Sequence, residues 1–458
     1  MHVDLPEDHF LIPSSMGYLL YAPLKGLLFL LSHQTARALA LALTSRRSSE
    51  LTPALKEIFD EISKPQQTRT SPVSPLDISP WSHLTLDLSS RCTLACVYCY
   101  AGQGGRDGAD MSIDCAQHAI DLCISKISVY HSRDEQSGQF NLIFHGGSEP
   151  TTNWDLFVRV IAYAREEAEK HGLRLFISMS SNGFYSSRRA SWIAKHVNNV
   201  SLSLDGFQIV QDAHRPTAKG GSSFRRVVQS AEVFHDSRSP AFSFGFRPTV
   251  TDFSVDMLPN IVAFFVDRFP GVGIAAEPVE EVGNCKNSGY VTPDPLKFAA
   301  RFIEACTRFP DVNLIYSGFN GLGNLRQRFC SASEPQMAVL PSGAVTACYG
   351  YSLRDARLTG FVYGQYDHVR GRFIFDEDKM KWLRDLHVRS AGTCKDCFTR
   401  YHCAGDCPAL RIAEEQNGVL MSNRKRCIIN REIAKWFLIK EITYEGQHTS
   451  LEREHVSV

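Results

Sequence analysis

Three cysteines stand within the stretch "SSRCTLACVYCYAG", residues 89–102: Cys92, Cys96 and Cys99, at C-x3-C-x2-C spacing behind an apolar run. Thiolates grouped this closely suit a metal centre. A structural zinc site wants a fourth ligand, and a catalytic zinc more commonly takes imidazole or carboxylate. An iron–sulfur cluster held by three cysteines leaves one iron open for a substrate or a cofactor. Seven more cysteines lie in the C-terminal part, as Cys330-x12-Gly343-x4-Cys348, Cys394-x2-Cys397-x5-Cys403-x3-Cys407 and then Cys427. A zinc ribbon could use C-x2-C beside C-x3-C, but four-cysteine zinc strands Cys330, Cys348 and Cys427. Of the 14 cysteines, four remain: Cys115 and Cys123 read as small core residues on a helix face, and Cys285 and Cys306 belong to no pattern. An even count also permits disulfides. Without a secretory signal, a reducing compartment favours metal binding or catalysis.

Those cysteines need elements to position them. A chain of 458 residues exceeds one ordinary core, so two or three domains are expected, and 43% apolar content suits a globular protein. Lys plus Arg equals Asp plus Glu at 49 each, so no global field draws the chain to nucleic acid or an anionic membrane. The run "LLYAPLKGLLFLLSHQTARALALAL" is interrupted by Lys25, His33 and Arg37 and reads as neither signal peptide nor anchor, so the chain is expected to be cytoplasmic. Residues 1–64 read as a small α+β unit: strands near Phe10–Pro13 and Tyr18–Tyr21, a helix from about Gln34, and a second helix capped by Thr52 with Pro53 first. Residues 65–82, with Pro65, Pro72, Pro75 and Pro80, read as an extended linker.

From His83 onward, β-like runs alternate with helical patterns: "HLTLDLS", "FNLIFHG", "LRLFISMSS", "NNVSLSLD", "AFSFGFRPTV" and "GVGIAAE". The first helix puts Ile113, Ala116, Ile120, Cys123, Ile124 and Ile127 on one side; the second groups Trp154, Phe157, Val158 and Ile161. Six β–α units imply a parallel sheet, and six are too few to close an eight-stranded barrel. The expected fold is therefore α/β, a partial (β/α)6 TIM-like barrel over 83–309. Its active site should lie at the C-terminal strand ends, where Cys92, Cys96 and Cys99 follow the first strand. A cysteine-rich region over 310–441 and a tail over 442–458 complete the chain.

"CTLACVYCY" resembles the cluster loop of radical S-adenosylmethionine (radical SAM) enzymes, and other strand ends resemble the same family. "FHGGSEP" is similar to its Gly-Gly-Glu-Pro motif, with Gly147, Ser148 and Glu149; Ser148 stands where a second glycine is usual. "SSNGF" supplies Ser181 and Asn182, and "SLSLDGFQIVQDAHRP" resembles the Ser-x-Asp-Gly motif with a downstream arginine. The resemblance implies that Cys92, Cys96 and Cys99 are catalytic and hold the first [4Fe-4S] cluster. It places Tyr98, Gly147, Ser148, Glu149, Ser181 and Asn182 around the cofactor, Ser203 and Asp205 near its ribose, and Arg215 on its methionine carboxylate. The C-terminal cysteines resemble the SPASM extension of radical SAM peptide maturases. That implies two auxiliary [4Fe-4S] clusters: an inner one on Cys330, Cys348 and Cys407, and an outer one on Cys394, Cys397, Cys403 and Cys427. Some such enzymes carry an eighth cysteine where this chain has Gln336, so the inner cluster is expected to have an open iron or a non-cysteine ligand.

The implied activity is reductive cleavage of S-adenosylmethionine to a 5′-deoxyadenosyl radical, followed by oxidative cross-linking of side chains in a ribosomally synthesised precursor peptide. The expected partners are that peptide and a reductant such as flavodoxin or ferredoxin, with neither nucleic acid nor membrane. A sulfatase-type formylglycine maturase is the alternative within the class. That group typically has Asp directly after the second SPASM cysteine, where this chain has Tyr349. From another class, a non-catalytic iron–sulfur electron carrier would not need the motifs from Gly147 to Arg215. The N-terminal unit weakly resembles winged-helix modules that take leader peptides by strand addition; capping the open barrel is its other reading.

Overall fold

A computed structural model describes residues 7–45, 51–64, 80–102, 109–131, 138–334, 336–348, 350, 356–416, 418, 424–448 and 456–457. Tyr349 and most of the proline-rich linker lie outside them. The N-terminal unit opens with β1 (Phe10–Ser14), β2 (Gly17–Ala22) and β3 (Leu27–Leu31), an antiparallel meander. The third strand, "LLFLL", is a departure from the two expected: an apolar run next to a helical pattern is ambiguous until a neighbouring strand pairs with it. Helices α1 (His33–Ser45) and α2 (Pro53–Ser63) follow, and the Thr52 hydroxyl caps α2 by accepting from Leu55 N at 3.4 Å. Period-two alternation gives the meander two apolar faces. Leu20, Phe29 and Leu31 pack on Leu39, Leu55 and Ile58, while Phe10, Ile12, Leu19, Tyr21 and Leu28 pack on Leu438 of the C-terminal region.

The main sheet begins with β4 (His83–Leu86) and, after α3 (Ile113–His131), continues through β5 (Gln139–Phe144), α4 (Trp154–Lys170), β6 (Arg174–Ser181), α5 (Ser187–His196) and β7 (Asn199–Leu202). Next come α6 (Gln208–His214), α7 (Phe224–Asp236), β8 (Ser243–Phe246), β9 (Thr249–Val250), α8 (Leu258–Arg268), β10 (Gly273–Ala275), β11 (Glu277–Pro278), α9 (Pro295–Arg308) and β12 (Leu314–Ile315). Strands β4, β5, β6, β7, β8, β10 and β12 pair in parallel in that order, a partial barrel. Two details depart from expectation. Pro248 splits "AFSFGFRPTV" into β8 and β9, since proline cannot donate to a ladder, and β12 adds a seventh parallel strand beyond residue 309. On α4 the buried face holds Leu156, Phe157, Val160 and Ile161, with Val158 only half-buried. Register aligns Leu86 with Phe144 and Phe144 with Met179, so the functional loops leave at one level. Leu84, Leu86, Phe140, Leu142, Phe144, Ile177, Val200, Leu202 and Phe246 are all buried; full burial of such a side chain contributes about 1.5–3 kcal/mol.

The C-terminal region is sewn onto this sheet. β13 (Met337–Val339) pairs in parallel with β4, and β14 (Ala344–Thr346), β15 (Val362–Asp367) and β16 (Arg372–Phe375) extend it antiparallel. Helices α10 (Glu377–Arg384), α11 (Arg400–Cys403), α12 (Pro408–Gln416) and α13 (Lys425–His448) follow, and Val456–Ser457 (β17) pairs with β3. No helix among the described residues is long and apolar enough to cross a membrane.

Candidate active site at the strand ends

The loop carrying Cys92, Cys96 and Cys99 leaves β4 and is pinned along its length. Ala95 N donates to Pro216 O at 2.8 Å, Val97 N to His214 O at 2.9 Å, and Asn284 N to Cys99 O at 2.9 Å. Gly283 makes that last approach possible: its φ is +56°, and an added Cβ would lie 2.2 Å from Cys99 O. Donors face two of the sulfurs, Asn182 Nδ2 at 3.5 Å from Cys92 Sγ and an Arg215 terminal nitrogen at 4.0 Å from Cys96 Sγ. Burial pushes Cys96 up to about 12, opposed by Arg215 and reinforced by Cys92 and Cys99; burial likewise pushes Cys92 up to about 11. Bare thiols here would hold their protons, so loading a metal centre must release them. Among the described residues, no three His, Cys, Asp or Glu groups are spaced for a single metal ion. Cys99 thus acts on both neighbouring thiols, and Cys92 on Cys96.

Behind the loop lies a buried ionic network. Asp205, fully buried, accepts from the Tyr98 hydroxyl and from Thr249 N at 2.9 Å, and it pairs with His214 Nδ1 at 3.0 Å and Arg215 Nε at 3.1 Å. Burial opposes its ionisation, but Arg215 and His214 prevail and hold its carboxyl down to about 2. The Arg215 guanidinium lies over the Tyr98 ring at 5.2 Å. Asp205, which the resemblance places near the ribose, takes protein donors on both its oxygens and holds Tyr98 and Arg215 in place. Tyr98 is buried beneath the loop. Ser203 remains half-buried at the end of β7.

Glu149 is 2% exposed and collects Thr151 N and Oγ1, Ser181 Oγ and Asn182 N at 2.7–3.3 Å. Burial raises its pKa despite these donors. The glycine-rich loop before it hangs on Asp87, a residue the motif reading missed: Gly147 N donates at 2.9 Å and the Ser148 hydroxyl at 2.6 Å. The serine in the usual glycine position is therefore a second tether to Asp87. Gly146 abuts the same carboxyl group, and a Cβ there would lie 2.2 Å from Asp87 Cγ. Burial pushes Asp87 up to about 6. An acidic residue closing the apolar run "HLTLDLS" was the available signal.

The seven C-terminal cysteines sort into two electrostatic sets. Cys330 and Cys348 raise Cys407, while Cys394, Cys397 and Cys427 raise Cys403, in each case after burial. Cys403 and Cys407 serve different sets because Ala404, Gly405 and Asp406 all have left-handed backbone, φ 52°, 80° and 61°. Such a conformation costs a non-glycine residue roughly 1–2 kcal/mol. Arg426 holds the turn, its Nε 3.0 Å from both Asp406 oxygens, and also reaches Glu280 at 3.2 Å and Ser317 Oγ at 3.0 Å. Glu280 is pushed up to about 7 by burial, against Arg426. Gln336 does not join the inner set: its amide bonds Ser331 and Thr85. Tyr100 stands between the two regions, its hydroxyl 2.5 Å from Gly146 O and its ring 3.8 Å from where a Cβ on Gly350 would lie, itself 3.9 Å from Cys348 Sγ. Cys115 and Cys123 are buried in the core.

The Radical SAM superfamily model matches residues 86–265. The chain is similar to the radical SAM cyclopropyl synthase TigE of Paramaledivibacter caminithermalis, 23% identical over 363 residues, 74% of this chain and 70% of that protein. It is 25% identical over 184 residues to the uncharacterized protein MJ0907 of Methanocaldococcus jannaschii, covering 40% of this chain and only 58% of that relative's length. Among solved structures, native anSMEcpe with bound AdoMet and Cp18Cys peptide superposes with a TM-score of 0.58 at 19% identity, over 80% of this chain and 99% of that one. At that identity the likeness is one of fold.

Proposed function

From the premise that residues 86–265 form a radical SAM domain, we propose that the chain is a peptide maturase that reductively cleaves S-adenosylmethionine and oxidatively cross-links side chains of a ribosomally synthesised precursor. The observation that carries this reading is the meeting of Cys92, Cys96 and Cys99 with Glu149, Ser181 and Asn182 at one sheet end, beside seven cysteines in two sets. Bound at a four-iron cluster on the first three thiols, S-adenosylmethionine supplies a route to hydrogen abstraction from an unactivated carbon. Asn182 and Arg215 donate toward the Cys92 and Cys96 sulfurs, which favours thiolate and tunes the cluster potential. Glu149 is anchored to accept from the cofactor's ammonium, Ser203 lies at the ribose side, and Arg215 can extend a terminal nitrogen to the methionine carboxylate.

The C-terminal region is read as a SPASM domain. Cys330, Cys348 and Cys407 hold an inner four-iron cluster, and Cys394, Cys397, Cys403 and Cys427 an outer one. Held there, these groups would supply an acceptor for electrons withdrawn from the substrate, and the proposed net reaction is an oxidation. A ring-forming relative and a fold neighbour holding both AdoMet and a peptide support this reading. Anaerobic enzyme given S-adenosylmethionine and dithionite should release 5′-deoxyadenosine. Co-expression with a short neighbouring reading frame should yield a peptide lighter by a pair of hydrogens on mass spectrometry. Deoxyadenosine no higher than in Cys92→Ala defeats the radical reading; deoxyadenosine with an unaltered peptide defeats the substrate reading alone.

A further inference from the structure

With Lys plus Arg balancing Asp plus Glu at 49 each, any charged face is local. One lies on the outer side of the cluster loop. Residues 216–218 run along that loop, Ala95 N donating to Pro216 O at 2.8 Å and Ala218 N to Thr93 O at 3.0 Å. Just beyond them Lys219, Arg225 and Arg226 are exposed. The nearby acids are already paired: Asp212 accepts from Ser223 N and Phe224 N at 2.9 and 3.0 Å, and Glu232, on the wall of the adjoining groove, pairs with Arg268 of the same wall at 2.6 Å. Phe184, Phe224, Arg225 and Arg226 also line this groove of about 890 Å³.

This groove is connected to the cluster thiols. The Arg226 guanidinium stacks over the Phe184 ring at 5.4 Å, Phe184 N donates to Asn182 Oδ1 at 2.9 Å, and Asn182 Nδ2 donates to Cys92 Sγ at 3.5 Å. Two hydrogen bonds thus link a half-buried aromatic residue under a cationic rim to a cluster sulfur. We propose that the face formed by Lys219, Arg225, Arg226 and Phe184 is the docking surface for an acidic one-electron carrier protein, whose electron enters through Phe184 and Asn182 at Cys92. One electron leaves the reduced carrier and arrives at the cluster held by Cys92, Cys96 and Cys99; the carrier is left oxidised by one electron, and no atom or proton is transferred. Opposite charge on the two faces steers encounter and fixes orientation. The proposal rests on the cluster assignment made above.

The test uses full-length, cluster-loaded enzyme and an acidic flavodoxin. Binding of oxidised flavodoxin to the wild type should weaken about tenfold as salt rises from about 0.01 to about 0.15 M, because screening shortens the reach of the patch. K219E/R225E/R226E should bind at least about tenfold more weakly at low salt and lose that salt dependence. Flavodoxin-driven deoxyadenosine formation should fall in parallel, while dithionite-driven formation stays at the wild-type rate. Should the triple variant not fold, R225Q/R226Q provides the same comparison with a smaller decrease. Unchanged flavodoxin binding overturns the proposal, as does a variant that loses an acidic precursor peptide but keeps flavodoxin. Failure of wild-type enzyme with dithionite instead strikes the radical reading, and the binding comparison still decides the surface.

Discussion

Cys92, Cys96 and Cys99 sit on one loop, fastened by backbone hydrogen bonds to segments 214–216 and 284 and backed by the Asp205–Arg215 pair. The other seven cysteines range from Cys330 to Cys427, and strand pairing, three left-handed residues and the Arg426–Asp406 contact bring them into two sets. The first site is local in sequence and rigid by attachment to the sheet. The second is assembled by closure of long loops, whose entropy folding must overcome. The first site's thiols are therefore neighbours in sequence, with distant segments only fastening their loop, whereas the second site's thiols are brought together solely by the body that carries them.

The sharpest way to break that comparison is to remove the first site alone. Replacing Cys92, Cys96 and Cys99 by Ala is expected to abolish deoxyadenosine formation. On the proposed assignment three four-iron clusters become two, so about eight of about 12 irons per chain should remain. Iron and sulfide assays on anaerobic protein check this, and a variant that loses all its iron would show the two regions to be interdependent.

Next in size is Arg215→Ala, which leaves the buried Asp205 carboxylate without its guanidinium. Breaking a buried pair of this kind costs about 3–5 kcal/mol, measurable by urea unfolding. The sign with pH is definite: the folded-state value near 2 lies below the usual carboxylate value, so this contribution is present above about pH 4 and is lost as pH falls toward 2.

Asp87 works in the opposite direction. Its folded-state value of about 6 exceeds the usual carboxylate value, so the folded chain holds the proton longer and stability falls as pH rises from about 4 to 6. A shift of this size corresponds to on the order of 3 kcal/mol. Asp87→Asn should flatten that slope in unfolding curves across this range, while replacing one of the two acceptor oxygens that hold Gly147 and Ser148 with a donor. The smallest effect expected is that of Glu149→Ala, which should weaken S-adenosylmethionine binding by about 1.5–3 kcal/mol through loss of a charge-assisted hydrogen bond; equilibrium dialysis with the cofactor would reveal an unaltered affinity.

Much of the site was legible because its signals are short-range. Strand ends carry Cys92–Cys99, Glu149, Ser181, Asn182 and Ser203 at fixed offsets from apolar runs that pair in register. Asp87 escaped notice because a lone acidic residue closing a strand resembles any polar boundary; its value lies in the loop that folds over it. Asp205 was legible as a motif member, but its bonds to Tyr98, His214 and Thr249 were not, since those donors come from different elements.

What the sequence by itself determined is the menu: hydrophobic periodicity dictated the alternating strands and helices, and cysteine spacing dictated a three-thiol loop with a seven-cysteine partner region. Tertiary structure decided which of these meet. The parallel pairing of Met337–Val339 with β4, the division of Cys403 and Cys407 between two sets, and the placement of Tyr100 between Gly146 and Cys348 all join residues far apart in the chain. No local propensity specifies such contacts. They arise because buried polar groups must find partners and apolar faces must be covered, and those demands are met only when the whole chain has closed.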